Sequence, residues 1–459
     1  MVPAQPTRKM RGAWYTPPGL IEIVLDGLLA DLAADPERSY PTPDPIRVLD
    51  PACGDGRFLT AVAERLEAIG HRCVLVGCDL DAAALAQVDD RRIRLIHDDA
   101  LSRDWGDERF DLVVGNPPFL SQMAADTTRG GSSRHGGGPY ADAAFEFLAL
   151  AVRLARPDGG RVALVLPQSI LAARDGAPVR TSVAQQADLD WSWWESRQQH
   201  FDASVNVCVL GFSRPASGAT TPSSWTRVVT DQLGVPALEP EALWCSGTLG
   251  DRADLNANFR DEYYALVPAV SDHGDGPPLV TSGLIDPGRC HWGRRPVRFA
   301  KHTFAHPRVD LSKLTGRFPA WAERKLVPKV LVANQTRIIE AVADPEGAWL
   351  PGVPVVSVTP TGSEAGVWEL AAVLTSPVAS VLAWYAGGGT GLSATSVRVG
   401  PAVLATTPWP SGALDGAVDA LRSGDIVGCG VAVANAYGLG DEAAEPLLTW
   451  WAERLPGAT

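Results

Sequence analysis

No apolar run in this 459-residue chain is long enough to cross a bilayer, which takes about 20 residues. Its first residues, MVPAQPTRKMRGAWYTPP, lack the basic, apolar and small-residue segments of a secretory signal. The expectation is a soluble, cytoplasmic protein with no membrane partner. Cysteine is scarce and scattered. The seven, at 53, 73, 78, 208, 245, 290 and 429, form no C-x-x-C pair, which excludes a disulfide framework and a zinc site of ordinary spacing. They are expected to be reduced and mostly buried, and no metal is expected. Positive charge is also short: 40 Lys and Arg stand against 53 Asp and Glu, a net charge of −13. A protein that binds phosphate backbones is expected to be basic, so the total argues against nucleic acid. The distribution argues the other way, because residues 281–340 hold 12 Lys and Arg and only 4 Asp and Glu. One block carries the positive excess of an otherwise acidic chain.

What is present is a regular alternation. From Ile46 to about Ser213, apolar β-type runs (IRVLD, CVLVGCDL, IRLIHDDA, FDLVVG, RVALVLP, VNVCVLGFS) are separated by helical ones (RFLTAVAERLEAIG, DAAALAQVDD, AAFEFLALAVRLARPDGG). Strands apolar on both faces, alternating with helices, predict a parallel, doubly wound sheet. Trp191, Trp193 and Trp194 in WSWWES read as strand residues at a sheet edge. After Arg214 the texture changes to PASGATTPSS, a linker or surface loop. The expected division is 1–214 as a catalytic domain, 215–280 as a connecting segment and 281–459 as a second, mixed α+β domain. WELAAVLTSPVASVLAWYA reads as one helix leading into GGGTGLSATS. The glycine-rich residues 130–138, GGSSRHGGG, read as a mobile lid or disordered loop.

Four consecutive strand ends carry unusual residues. In open parallel sheets ligands bind beyond such ends, near the point where strand order reverses. The first is Asp50-Pro-Ala-Cys-Gly-Asp-Gly56, where Gly54 and Gly56 allow a ligand close to the backbone. It lacks the third glycine of the dinucleotide fingerprint. The second ends in Cys78-Asp79-Leu80, with Asp79 placed 23 residues after Gly56, the distance at which a carboxylate can accept from a ribose diol. The third ends in Asp98-Asp99-Ala100, and the fourth in Asn116-Pro117-Pro118-Phe119.

In this order and spacing, DPACGDG, CDLD, DDA and NPPF resemble the S-adenosylmethionine-dependent N6-adenine DNA methyltransferases of restriction–modification systems. Trp14-Tyr-Thr-Pro-Pro18, ahead of the glycine loop, resembles the additional cofactor motif of the gamma-class, TaqI-like members. The resemblance covers roughly residues 11–213. It implies the class I methyltransferase fold with a mostly parallel seven-stranded sheet, S-adenosylmethionine as cofactor and a C-terminal target-recognition domain. Carried over residue by residue, it implies Thr16, Asp50, Ala52 and Gly54 around the methionine portion of the cofactor and Asp79 with Leu80 at the ribose. Asp99 and Ala100 fall at the adenine, Phe147 packs on that ring, and Pro118 closes the cofactor pocket.

The chemistry explains why a buried strand stops on an amide and two prolines. An adenine amino nitrogen is a weak nucleophile because its lone pair is delocalised into the ring. Two acceptors aimed at its hydrogens localise that pair, and acceptors preorganised for the transition state stabilise it selectively. Asn116 supplies one through its side-chain oxygen. Pro117 supplies the other through a carbonyl held in a fixed extended geometry. Phe119 then offers a π-face to a base rotated out of the duplex, and Phe201 is the candidate for the opposite face. No covalent intermediate is needed.

Within 281–340, Arg294, Arg295, Arg298, Lys301, Lys329 and Arg337 read as a phosphate-tracking groove for double-stranded DNA. The alternative substrates for the same two-acceptor device are ribosomal RNA adenine and a protein glutamine amide. No compact D…E-x-K cluster stands out, so any restriction nuclease or defence-system partner is expected as a separate chain.

Overall fold

The computed structural model describes residues 16–30, 45–118, 136, 142–194, 206–215, 225–258, 260–362 and 366–457. The chain divides into two compact units, Met1–Val228 and Val229–Thr459.

The first unit is built on seven strands: β1 (Ile46–Asp50), β2 (Cys73–Asp79), β3 (Ile93–His97), β4 (Leu112–Gly115), β5 (Arg161–Pro167), β6 (Asp188–Trp194) and β7 (Val207–Ser213). They lie in the order β3-β2-β1-β4-β5-β7-β6. β1 to β5 pair in parallel, and only β7 runs against its neighbours. This is the mostly parallel seven-stranded sheet that the resemblance implied. The central strands are apolar on both faces because helices cover both. The tryptophan-bearing β6 forms the outer edge, as its sequence predicts. Strand order reverses between β1 and β4, which places the ligand crevice at their carboxyl ends.

Helices follow from local chemistry. Pro18 opens α1 (Pro18–Leu28) at the first helical position, where its missing N–H costs nothing. The buried face of α1, with Leu20, Val24, Leu25 and Leu28, joins Val48, Leu59, Val62 and Leu112 in one core cluster. α2 (Arg57–Ala68) starts directly from Gly56, which is in the left-handed region at φ 76°. DAAALAQVDD yields only one turn, α3 (Ala82–Leu85), rather than a full helix. Asp81 caps that turn, and Asp90 then accepts the Arg92 N–H at 3.0 Å, a local turn that competes with helix continuation. Asp142 caps α4 (Ala143–Leu154) by accepting the Ala144 N–H at 3.0 Å.

The second unit contains an antiparallel sheet made of β8 (Ala253–Ala257), β13 (Lys329–Ala333), β15 (Ala341–Asp344) and β16 (Val355–Pro360), in the order β15-β13-β16-β8. Two short hairpins precede it in the chain after β8. One is β9 (Ile285–Asp286) with β10 (Arg289–Cys290), and the other is β11 (Val297–Phe299) with β12 (His302–Phe304). β14 (Gln335–Thr336) pairs with β17 (Val397–Arg398). Residues 229–280, expected as part of a connection, instead belong to this unit, since β8 pairs with β16 along five residues. The boundary was misplaced because a short strand without long apolar runs, ADLNA, is indistinguishable from loop until its partner is known.

The expected single helix WELAAVLTSPVASVLAWYA is two, Val367–Leu374 and Pro377–Gly387, bent by 63°. Ser376 ends the first by capping the second, accepting the Ala379 N–H at 3.1 Å, and Pro377 cannot continue an incoming helix. Both helices are largely buried in the unit. Among the described residues no single helix is long and apolar enough to cross a membrane, although this bent pair passes on length and composition together. Of the seven free cysteines four are buried, Cys73 and Cys290 are half-buried and Cys245 is exposed.

Candidate active site

Backbone register brings the predicted strand ends together. Leu49 of β1 is level with Val113 of β4, and Asp50 is level with Gly77 of β2. Gly115, at φ 151°, closes β4 directly against Asp50: an added Cβ there would lie 2.5 Å from Asp50 Oδ1. Only glycine permits that approach, and it puts Asn116 and Pro117 one step beyond the buried carboxyl. Pro117 is buried, Asn116 and Pro118 are half-buried, and the Asn116 side-chain oxygen is shielded from solvent.

The glycine loop is held by the second strand end. The Gly54 N–H donates to Asp79 Oδ2 at 2.7 Å, and the Asp81 N–H donates to Oδ1 at 2.8 Å. Cys53 N–H donates to the Cys78 carbonyl at 3.0 Å. Gly54 takes φ 54°, a conformation that L side chains resist. Asp79 is thus fixed in orientation while each oxygen keeps lone-pair capacity for a further donor. Leu80 beside it is 66% exposed, an apolar side chain set at the rim. The third end is tied in through Asp98, whose N–H donates to the Asp79 carbonyl at 3.2 Å. Asp99 accepts the Leu101 N–H at 3.1 Å, and the Ala100 carbonyl accepts from Trp105 Nε1 at 2.9 Å, so this loop is also braced.

Thr16 is buried and adjoins the same loop, because Arg57 Nη1 donates to its carbonyl at 3.5 Å while the Arg57 guanidinium pairs with Asp55. Phe147 is buried on α4, the helix that packs on β4 and β5. Phe119, Phe201 and, except for Gly136, residues 130–138 lie outside the described residues.

Electrostatically the centre is Asp50. It is 2% exposed, and its Oδ1 accepts the Ala52 N–H at 3.0 Å. Burial pushes its pKa up to about 8. The Ala52 hydrogen bond opposes that shift, and the Asp79 and Asp55 carboxylates add to it. A buried carboxyl with this bias is complementary to a cationic ligand group, whose charge would restore the carboxylate. Two glycines without side chains, a buried acid and a fixed ribose-type acceptor together fit a nucleoside carrying a positive charge.

The linkage has a definite sign. Between about pH 4 and 8 the unfolded chain has lost the Asp50 proton that the folded chain retains, so this group's contribution makes stability fall as pH rises through that window. Asp50→Asn is expected to remove this fall and to leave the ligand-free protein more stable than wild type at pH 8, by about a few kcal/mol. Thermal midpoints of both proteins at pH 5 and pH 8 check this. A wild-type advantage at pH 8 would contradict it.

One further polar residue is not signalled by strand-end acids or motifs and lies just past the strand next to β4. Gln168 follows β5 immediately, is 3% exposed, and its Nε2 is buried with no hydrogen-bond partner among the described residues. β5 lies next to β4, with Leu164 level with Gly115. The signal is in the sequence: β5 ends Leu-Pro and is followed by Gln168, an apolar strand giving way to proline and an amide much as β4 gives way to Asn116 and two prolines.

The basic block is sorted by the second unit's own fold. Lys329 does not belong to a DNA-facing groove. It is 0% exposed within β13, and its Nζ donates to Asp344 Oδ2 at 2.6 Å and to the Val327 carbonyl at 3.2 Å. Arg295 is exposed but committed, donating to both oxygens of Asp286 at 3.1 and 3.0 Å and to the Gly283 carbonyl at 3.1 Å. Arg294, Arg298, Lys301 and Arg337 are exposed, and no ion-pair partner is recorded for them among the described residues.

Residues 3–215 match the family model described as N-6 DNA Methylase. The chain is 26% identical over 182 residues to the type II methyltransferase M.CvrRI of Paramecium bursaria Chlorella virus XZ-6E, covering 39% of this chain and 42% of that protein. It is 28% identical over 204 residues to the type II methyltransferase M.TthHB8I of Thermus thermophilus, covering 40% and 41%. The matched segment therefore spans less than half the length of either curated relative. Among solved structures, a type I restriction–modification methyltransferase subunit from Streptococcus thermophilus aligns with a TM-score of 0.36 at 16% identity, covering 49% of this chain and 54% of that one.

Proposed function

We propose that the chain, whose residues 3–215 match the family model described as N-6 DNA Methylase, transfers a methyl group from S-adenosylmethionine to the N6 amino group of an adenine rotated out of a specific double-stranded DNA sequence. The observation that supports this reading is the close approach of Gly115 to Asp50, which puts Asn116 and Pro117 directly after a backbone pressed against a buried acid. S-adenosylmethionine, when bound, supplies a methyl on a positively charged sulfur.

Asp50 and the Gly54 loop accommodate the charged end, Asp79 takes the ribose, Leu80 lies at the ring's edge, and Asp99 accepts from its amino group. Thr16, Ala52, Ala100, Pro118 and Phe147 complete that wall. At the target, the Asn116 oxygen and the Pro117 carbonyl accept the two amino hydrogens and turn the nitrogen lone pair outward. Gln168 sets a buried donor just past the neighbouring strand, which complements a base whose amino group adjoins a ring nitrogen. Phe119 and Phe201 stack on the base. Direct in-line transfer forms one N–C bond and breaks one S–C bond, and the surplus amino proton leaves to solvent. Rotating the base out costs about a few kcal/mol, which contacts from the second unit to the duplex offset. A separately encoded nuclease is the partner this reading implies.

Sequencing of modified bases in DNA from cells expressing the protein tests this. The expected result is N6-methyladenine at one recurring sequence. Modification confined to RNA adenine or to protein glutamine would overturn it.

A further inference from the structure

The β11–β12 hairpin of the second unit makes its tight turn from residues that disfavour the required backbone conformation. Its two-residue turn is Ala300-Lys301, and both residues have positive φ, 48° and 69°. Such a turn matches strand twist but favours Asn and Gly, because Cβ atoms are disfavoured there. Strain of this kind persists where surrounding structure enforces it and is concentrated at functional sites.

The root of the hairpin is the enforcing structure. Asp272 accepts the N–H groups of both Ala305 and His306, at 3.0 and 2.8 Å. Trp292 Nε1 donates to the Pro307 carbonyl at 2.9 Å, and the Arg308 guanidinium lies 4.7 Å from the Trp292 ring. On its inner face Val297 and Phe299 are buried, Phe299 against Tyr263. The outer face presents the cross-strand pair Arg298 and Thr303, both exposed, with Lys301 exposed at the tip.

Several of the neighbouring cations are paired within the fold. Arg295 is taken by Asp286, Arg317 by Asp261, Lys313 by Asp310 and Lys329 by Asp344. Arg294, Arg298 and Lys301 have no recorded ion-pair partner among the described residues, and they fall within eight positions. A rigid two-stranded ribbon fits a B-DNA major groove about 12 Å wide, with its outward face against base edges.

We propose that this hairpin is a base-reading ribbon: Arg298, beside Thr303, donates to a guanine in the major groove, and Lys301 at the tip contacts a phosphate. This rests on the proposed DNA substrate and adds which element reads sequence. Arginine is the side chain that addresses O6 and N7 of guanine with two parallel donors, whereas a lysine at a chain reversal provides a point charge without sequence information.

Methylated-base sequencing of DNA exposed to wild type, Arg298→Ala, Arg298→Gln and Lys301→Ala tests it. Arg298→Ala is expected to lower preference for guanine at one position of the site by about ten- to a hundredfold. Arg298→Gln should move that preference toward adenine, the base a glutamine amide matches. Lys301→Ala should weaken marking alike at all sequences and lower the salt dependence of binding. If wild type marks a sequence and both folded Arg298 variants mark the same one with unchanged stringency, the ribbon assignment fails and the methyltransferase reading stands. If wild type marks no duplex adenine, both fall.

Discussion

Asn116→Ala is expected to reduce methyl transfer by about a thousandfold or more while leaving S-adenosylmethionine affinity within severalfold of wild type. The reason for so large a split is where the residue acts. Asn116 follows Gly115, whose backbone is pressed against Asp50, so under the proposed function its amide acts on the target base next to the Asp50 pocket without forming that pocket. The acceptor it provides has its largest value when the amino nitrogen becomes pyramidal, and an interaction realised mainly in the transition state changes kcat rather than ground-state binding. Asn116→Asp keeps an acceptor oxygen in the same place and should recover part of the rate. Single-turnover methylation of a duplex containing the site, together with calorimetric titration of the cofactor, separates the two effects. A variant that retains turnover within tenfold, or one that loses cofactor binding in proportion to rate, would remove Asn116 from the role proposed for it.

Much of this site is legible without coordinates because parallel α/β topology makes function local. Each candidate group sits at or just past the end of its own strand, so Asp50, Asp79, Asp99 and Asn116 are found by reading strand ends in order, and the sheet's parallel pairing brings those ends together. Local chemistry was less legible where short polar residues compete with helices. Asp90 and Ser376 each offer a side-chain acceptor to the backbone, and an apolar pattern continuing through them is cut at that point. Least legible was the fate of the cations. Counting charge along 281–340 located the basic region, but which members remain available depends on partners such as Asp261, fifty-six residues from Arg317 in sequence. Gln168 is hard to find for the converse reason: a single amide has no periodicity, and the burial of its nitrogen, with no partner among the described residues, is a property of the packed sheet.

Lys329 shows the difference between a charge and an available charge, and it sets the second large effect. β13 and β15 pair antiparallel with Lys329 opposite Asp344, and the two side chains are 0% and 1% exposed. Asp344 also accepts the Ala348 and Trp349 N–H groups, at 2.9 and 3.0 Å, so it anchors the turn that follows its strand. Burial lowers the Lys329 pKa, opposed by the hydrogen bond and charge of Asp344, the carboxylate that pairs with it. Lys329→Met should therefore strand a buried anion and destabilise the second unit by about 3–5 kcal/mol. Lys329→Met combined with Asp344→Asn should recover much of the loss, because no uncompensated charge remains and the amide oxygen can still accept a turn N–H. Thermal unfolding followed by fluorescence of the buried Trp384 and Trp451 reports on this unit. At a temperature where Lys329→Met is folded, its DNA affinity should show the same salt slope as wild type, whereas loss of a phosphate contact would lower that slope by about one. A stable single variant with a reduced slope would return Lys329 to the DNA interface and overturn its assignment to the core.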